Sequence, residues 1–183
     1  KTAYEISTRD WSSDVCSSDL PHGVPLIIFR TPRGADYDLI APLLDSWWGG
    51  RHMQDMLPRL FFQNFATTSL VAEDTDGRLA GFIVAFPSQD QPEQGYIHFV
   101  GVEPGHRRQG VGRQLYERTF ASLQARGCTS VKSVTSPVNS ASIAFHERMG
   151  FGKVAAPGSS SDEVWLDYDG PGEHRVVFVR PIN

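Results

Sequence analysis

Val100-Gly-Val-Glu-Pro-Gly-His-Arg-Arg-Gln-Gly-Val-Gly112 decides how this chain folds, because within it an apolar strand ends and a helix begins. Upstream, Tyr96 to Val102 has the alternation of a strand, and Pro104 with its neighbouring glycines stops it. Downstream, a helix is expected from about Val111 to Arg126. Val111, Leu115, Thr119 and Leu123 line one side, Tyr116 and Phe120 widen the stripe, and Gly127 suits the C-terminal cap. At such a junction successive N–H groups point at one spot, and the helix N-terminus adds partial positive charge. Gly110 and Gly112 have no Cβ, so the backbone can curl tightly and approach a bulky anion. Arg107, Arg108 and Arg113 can add charge-assisted bonds to phosphate. Two glycines beside arginines also suit an ordinary tight loop, but the strand, loop and helix order favours a pyrophosphate cradle. The spacing matches neither a Walker lysine loop nor a dinucleotide fingerprint.

Moving outward, Leu26 to Arg30 reads as a short strand, Asp36 to Trp48 as a helix stopped by Gly49-Gly50, and Met53 to Phe62 as a second helix. Ser69 to Glu73 and Leu79 to Phe86 are strands joined by the hairpin turn Asp74-Thr-Asp-Gly77. On the C-terminal side, Ser130 to Thr135 is a β-branched strand, and Asn139 caps a helix from Ser140 to Met149 that Gly150-Phe151 ends. Val164 to Tyr168 and Arg175 to Val179 form two last strands around Asp169-Gly-Pro-Gly172. The expected fold is α/β (α+β): a mixed, mostly antiparallel sheet of about seven strands with helices on both faces.

The 183 residues are 40% apolar and 21% charged, which fits one domain with a sizeable core. The first twenty are set apart. Arg9-Asp-Trp-Ser-Ser-Asp-Val-Cys-Ser-Ser-Asp-Leu20 resembles a translated sequencing adapter, and its Ser and Asp residues carry no apolar period and no signal-peptide pattern. Residues 1–20 are therefore read as artefact or disorder, and 21–183 as the domain. Lys1 is not an initiator methionine, which leaves the native start open. The net charge of −4 gives no global attraction to nucleic acid or an anionic membrane, and no apolar run approaches the roughly 20 residues that span a bilayer. With Cys16 set aside, Cys128 is the one cysteine, so no disulfide framework is expected and a reducing cytoplasm is the natural location.

The central stretch resembles motif A of the GNAT superfamily: Arg or Gln, two variable residues, Gly, one variable residue, then Gly or Ala. Arg107, Gly110 and Gly112 match it. Asn139-Ser-Ala-Ser-Ile-Ala-Phe-His-Glu-Arg-Met-Gly-Phe151 looks like the family's motif B, at the right separation. The resemblance implies that acetyl-CoA lies in a V-shaped opening between the Tyr96 to Val102 strand and the Ser130 to Thr135 strand. Backbone groups around Val100 and Val102 would hold the pantetheine arm, the N–H groups from Arg108 to Arg113 the pyrophosphate, and Asn139 the region between. Asn139 has a second explanation as a helix N-cap. An amine acceptor is the implied partner, and a homodimer is one option because relatives often pair.

Acyl transfer to an amine needs a neutral nucleophile and a proton for the departing thiolate. The family often places a tyrosine acid directly after the aromatic residue of motif B, and here that position is His146, whose imidazolium is a competent donor near neutral pH. His98 is the candidate base: on an alternating strand it shares a face with Val100 and Val102, with Glu103 or water as competitors. By family geometry Trp47, Trp48, Arg51, Tyr168, Asp169 and His174 are possible acceptor-lining residues, each with a packing or turn role as its simpler explanation. His22, His52, His106 and Cys128 form no metal spacing, so no metal is expected, and Cys128 reads as a small buried apolar residue. The leading expectation is an N-acetyltransferase acting on a primary amine of a small molecule or protein. A non-catalytic acyl-CoA-binding or regulatory domain would keep the cradle without needing the histidines. A nucleic-acid module is disfavoured by the acidic total and the lack of an extended basic face.

Overall fold

The computed structural model describes residues 26–158 and 163–182. The segment 1–20, His22 and Val24 lie outside the described residues. Eight strands form one sheet: β1 (Ile28–Arg30), β2 (Leu70–Glu73), β3 (Leu79–Pro87), β4 (Gln94–Val102), β5 (Ser130–Thr135), β6 (Gly152–Lys153), β7 (Val164–Trp165) and β8 (Arg175–Pro181). Their order is β1-β2-β3-β4-β5-β8-β6, with β7 also on β8. Every pairing is antiparallel except β4 with β5. The sequence reading of a mixed, mostly antiparallel sheet holds. The strand it lacks is β6, whose two residues are too few to show alternation.

The helices are α1 (Asp36–Ile40), α2 (Leu44–Trp47), α3 (Leu60–Asn64), α4 (Val111–Gln124) and α5 (Ser140–Arg148). The expected helix from Asp36 to Trp48 is divided at Pro42, where Ala41–Leu43 is a 3₁₀ turn. The next one is divided at Pro58, with a 3₁₀ turn at Gln54–Met56 before α3. Proline has no N–H to donate and its ring crowds the preceding turn, which accounts for both breaks. The strand expected from Val164 to Tyr168 ends at Trp165, and Asp167 turns the chain with a φ of 51°.

Strand β3 shows how the sheet acquires a core on each face. Ile83 and Ala85 face Leu115, Tyr116 and Leu123 of α4, while Phe82 and Val84 face Ile40, Leu44 and Phe62 of α1 to α3. Burial of these side chains, each worth about 1.5–3 kcal/mol when complete, fixes the register of both neighbours. Cys128 is buried, as expected from its position.

Two departures from regular pairing shape the C-terminal half of β4. The parallel β4–β5 pairing runs only from Gln94 with Ser130 to Ile97 with Ser133, so beyond Ile97 the β5-facing edge of β4 has no strand partner among the described residues. The register with β3 also slips: Val84 pairs Phe99 and Ala85 pairs Ile97, leaving His98 as an inserted residue, a β-bulge. His98 and Phe99 consequently both lie on the α1–α3 side, against Phe61 and Trp48 respectively, whereas Val100 and Val102 pack on the α4 side. The expectation that His98 shares a face with Val100 and Val102 is corrected: one extra residue reverses the alternation.

Candidate functional site

At the start of α4, Arg108 (φ 62°) and Gly110 (φ 83°) adopt left-handed backbone. Holding a non-glycine residue there costs about 1 kcal/mol. The first helical bond is from the Gln114 N–H to the Gly110 carbonyl. The six N–H groups from Arg108 to Arg113 have no acceptor among the described residues. Unpaired donors at a helix N-terminus favour an anion. Gly110 serves by its φ, since a Cβ there would meet nothing nearer than Gln114 Nε2 at 4.0 Å. Gly112 faces Val102 and Phe145 at ordinary contact distance.

These groups border a cavity of about 670 Å³ between the end of β4 and the start of α4 on one side and the end of α5 on the other, lined also by Arg148 and Arg180. Arg108 and Arg148 bond no other side chain among the described residues, and Arg113 pairs with Glu117 one turn on at 2.7 Å. Arg107 has a second role. Its Nε donates to the Val102 carbonyl and its Nη2 to the Trp47 carbonyl, so the guanidinium ties β4 to α2 while lining this cavity. The Gln109 side chain donates back to the Gly105 carbonyl and shapes the loop.

A second cavity of about 700 Å³ opens where β4 and β5 part. Val102 lines the first cavity and Val100 the second, so the unpaired edge of β4 runs between them. Tyr116, Ser133 and His146 line the second, as do Asn139, His98, Trp48, Arg51 and Asp169. Asn139 caps α5, its Oδ1 accepting from the Ser142 N–H at 3.2 Å.

His146 is 3% exposed and stacks on Phe178. Its Nδ1 lies 2.8 Å from the Ser142 carbonyl oxygen, which can only accept, so Nδ1 carries a proton. Its Nε2 lies 3.0 Å from the Tyr116 hydroxyl and 3.2 Å from Ser133 Oγ. Burial lowers the His146 pKa from the ordinary histidine value, against the opposing bond to Ser142. The resting ring is therefore neutral, with its lone pair at Nε2. The imidazolium expected from sequence is corrected, because burial without an acidic partner disfavours the charge. His98 is also held neutral by burial, opposed by Met56 and Asp169. Its Nε2 bonds the Met56 carbonyl at 2.7 Å, leaving the Nδ1 lone pair. Glu103 caps the turn at Pro104–His106, lies 2.8 Å from the His106 ring and lines neither cavity.

Of the expected acceptor-lining residues, Trp48, Arg51 and Asp169 border this second cavity. Trp47 is a core residue, Tyr168 packs on Trp165, and His174 Nδ1 accepts from the Asp167 N–H. Tyr116, Ser133, Arg148 and Arg180 line these cavities without having been singled out from sequence. The spacing of Arg148 within motif B was the one available signal. Among the described residues no group of three or more metal-binding side chains converges, and no helix is long and apolar enough to cross a membrane.

A model of the acetyltransferase (GNAT) family matches residues 37–151. The chain is 33% identical over 85 residues to an L-2,4-diaminobutyric acid acetyltransferase of Nocardia farcinica (strain IFM 10152), covering 46% of this chain and 44% of that protein. It spans about half or less of the length of the curated relatives it matches. Among solved structures it resembles Ard1 from Thermoplasma volcanium, with a TM-score of 0.70, 18% identity, and coverage of 86% and 98%. It also resembles the diaminobutyrate acetyltransferase EctA from Paenibacillus lautus in complex with L-2,4-diaminobutyric acid and coenzyme A, with a TM-score of 0.62, 22% identity, and coverage of 86% and 96%.

Proposed function

The chain belongs to the acetyltransferase (GNAT) family, and on that footing we propose that it moves an acetyl group from acetyl-CoA to a primary amine of a small molecule or protein. The observation that carries this reading is the run of six unpaired N–H groups, Arg108 to Arg113, at the mouth of a path that follows the free edge of β4. Such donors fit a pyrophosphate, and Arg108, Arg113, Arg148 and Arg180 fit its charge or that of a neighbouring phosphate. Acetyl-CoA would supply the activated acyl group. The edge at Val100 and Val102 and the Asn139 side chain would hold its arm, leading it to the parting of β4 and β5.

Two protons must leave an ammonium acceptor during transfer, and the site has two neutral histidines. His98, with Nδ1 open, accepts the first, which passes on to water. His146, at the sulfur side, handles the second, which the departing thiolate requires. Both depend on burial to stay uncharged near neutral pH.

Isothermal titration of acetyl-CoA, beside dephospho-CoA, into the full chain tests the reading. Micromolar binding, weakened for dephospho-CoA, is expected, followed by thiol release on addition of a primary amine such as L-2,4-diaminobutyrate or a peptide N-terminus. Absence of binding would overturn it. Binding with no thiol release across a broad amine panel would instead favour a non-catalytic acyl-CoA-binding domain.

A further inference from the structure

One buried tyrosine is unexplained by packing alone. Tyr116 is fully buried on the apolar stripe of α4, yet its hydroxyl meets His146 Nε2 at 3.0 Å, across from a different helix. Since Nδ1 is committed as donor to the Ser142 carbonyl, Nε2 must accept, and the Tyr116 O–H at 3.0 Å is its donor, because the other hydroxyl in reach, Ser133 Oγ at 3.2 Å, donates to the Ile97 carbonyl. This leaves the phenolic lone pairs free, and both residues line the cavity at Ser133, the last β5 residue paired with β4. The geometry points to Tyr116 as a proton relay between the cleft and His146. The inference rests on the acetyltransferase reading.

The relay balances. As the C–N bond forms, one of the two protons still on the nitrogen passes to the Tyr116 oxygen while the hydroxyl's own proton moves to Nε2, and the other stays in the amide product. Tyrosine stays neutral and His146 becomes an imidazolium. As the C–S bond breaks, the path runs in reverse: the hydroxyl proton goes to sulfur and Nε2–H returns to the phenolic oxygen. The acceptor's first proton has already left through His98. A tyrosine acting alone would end as a buried phenolate, which burial strongly opposes by raising the Tyr116 pKa. Coupling to Nε2 removes that obstacle, and a histidine with a lowered pKa returns the proton readily.

The groups facing His146 are Tyr116 from α4, Ser133 from β5, Phe178 from β8, Phe151 beyond α5, and Ser142 and Phe145 of α5. Tyr116 is the one titratable side chain in that set. The remaining titratable groups of the cavity are His98, Tyr96, Asp169, Glu173, Arg175 and the outer His52 and Arg51.

Nitrogen-15 NMR of the histidine side chains in the ligand-free full chain should give His146 as the Nδ1–H form at pH 7.5, with its Nε2 signal moved by Tyr116→Phe. An Nε2–H form would overturn the relay. With acetyl-CoA and an amine that the wild type acetylates, Tyr116→Phe should lower kcat about 100-fold, keep acetyl-CoA affinity within about twofold, and abolish the part of the kcat pH profile that belongs to His146. Wild-type kcat and pH profile in Tyr116→Phe, or an Nε2 signal that moves in Ser133→Ala and stays in Tyr116→Phe, would overturn the proposal. If Tyr116→Phe does not fold, 3-fluorotyrosine at position 116 keeps the packing while acidifying the phenol, and an unmoved pH profile there overturns it equally. Failure of the wild type to bind acetyl-CoA would overturn the acetyltransferase reading and the relay with it, a result distinct from loss in the variant alone.

Discussion

Arg107 Nη2 donates to the Trp47 carbonyl across 2.6 Å while its Nε donates to the Val102 carbonyl across 3.1 Å, so one guanidinium joins the C-terminal ends of α2 and β4. The motif residue that sequence assigns to phosphate thus holds the two walls of the site together. Charge-assisted bonds of this kind contribute about 1.5–3 kcal/mol when well shielded and less when partly exposed. Arg107→Ala should therefore lower the Tm by roughly 3–6 °C. Arg108→Ala should leave Tm within about a degree and weaken acetyl-CoA binding. Thermal melts beside titration calorimetry separate the two, and an unchanged Tm in Arg107→Ala would return that side chain to the phosphate.

Gly110 tests the cradle independently of any arginine. Its φ of 83° is accessible to glycine and strained for a β-branched residue, while a Cβ would touch only the tip of Gln114. In Gly110→Val the loop relieves that strain by turning its N–H groups apart, with little effect on the core. Affinity for acetyl-CoA should fall at least about tenfold, or ~1.4 kcal/mol, with the far-ultraviolet circular dichroism spectrum unchanged. Wild-type affinity would remove the pyrophosphate assignment.

Much of this architecture is legible in the chain because its signals are local. The stripe Val111, Leu115, Thr119, Leu123 defines α4 within its own length, and Asn139 announces α5 by a cap that forms three residues on. What escaped depends on partners distant in sequence. The bulge at His98 exists only relative to Val84 and Ala85 on β3, so alternation along β4 alone misplaces the ring. Tyr116 looks like one more member of an apolar stripe until α5 brings His146 to its hydroxyl. Likewise, nothing near Arg107 in sequence foretells that the Trp47 carbonyl, sixty residues earlier, will claim it.

The two neutral histidines make stability depend on pH in a definite direction. Each has a folded pKa below the ordinary value of about 6.5, so the unfolded chain binds more protons and stability rises with pH. Their contribution is complete above about pH 6.5 and is lost as pH falls from there through the folded values. Asp36, held low by Arg30 despite its burial, titrates below that window. The Tm should drop between pH 7.5 and 5.5, and the drop should shrink in a His98→Gln, His146→Gln double variant. An equal drop in the variant would assign the sensitivity to other groups.

Asp169 lines the same cavity as the His98 ring. Its Oδ2 pairs with Arg175 Nε at 2.6 Å, and Arg175 also reaches Glu173 at 3.0 Å, so two carboxylates share one guanidinium. The surplus negative charge suits a cationic acceptor, and the same carboxylate favours protonation of His98. Asp169→Asn keeps a hydrogen-bond acceptor for Arg175 while removing the charge. KM should rise about tenfold for diamines, roughly 1.4 kcal/mol, and much less for monoamines, whose single charge is the one lost before attack. The ascending limb of kcat/KM should also move to lower pH. If diamine and monoamine KM values rise together, Asp169 acts by positioning Arg175, and the acceptor draws its selectivity from the Trp48 wall instead.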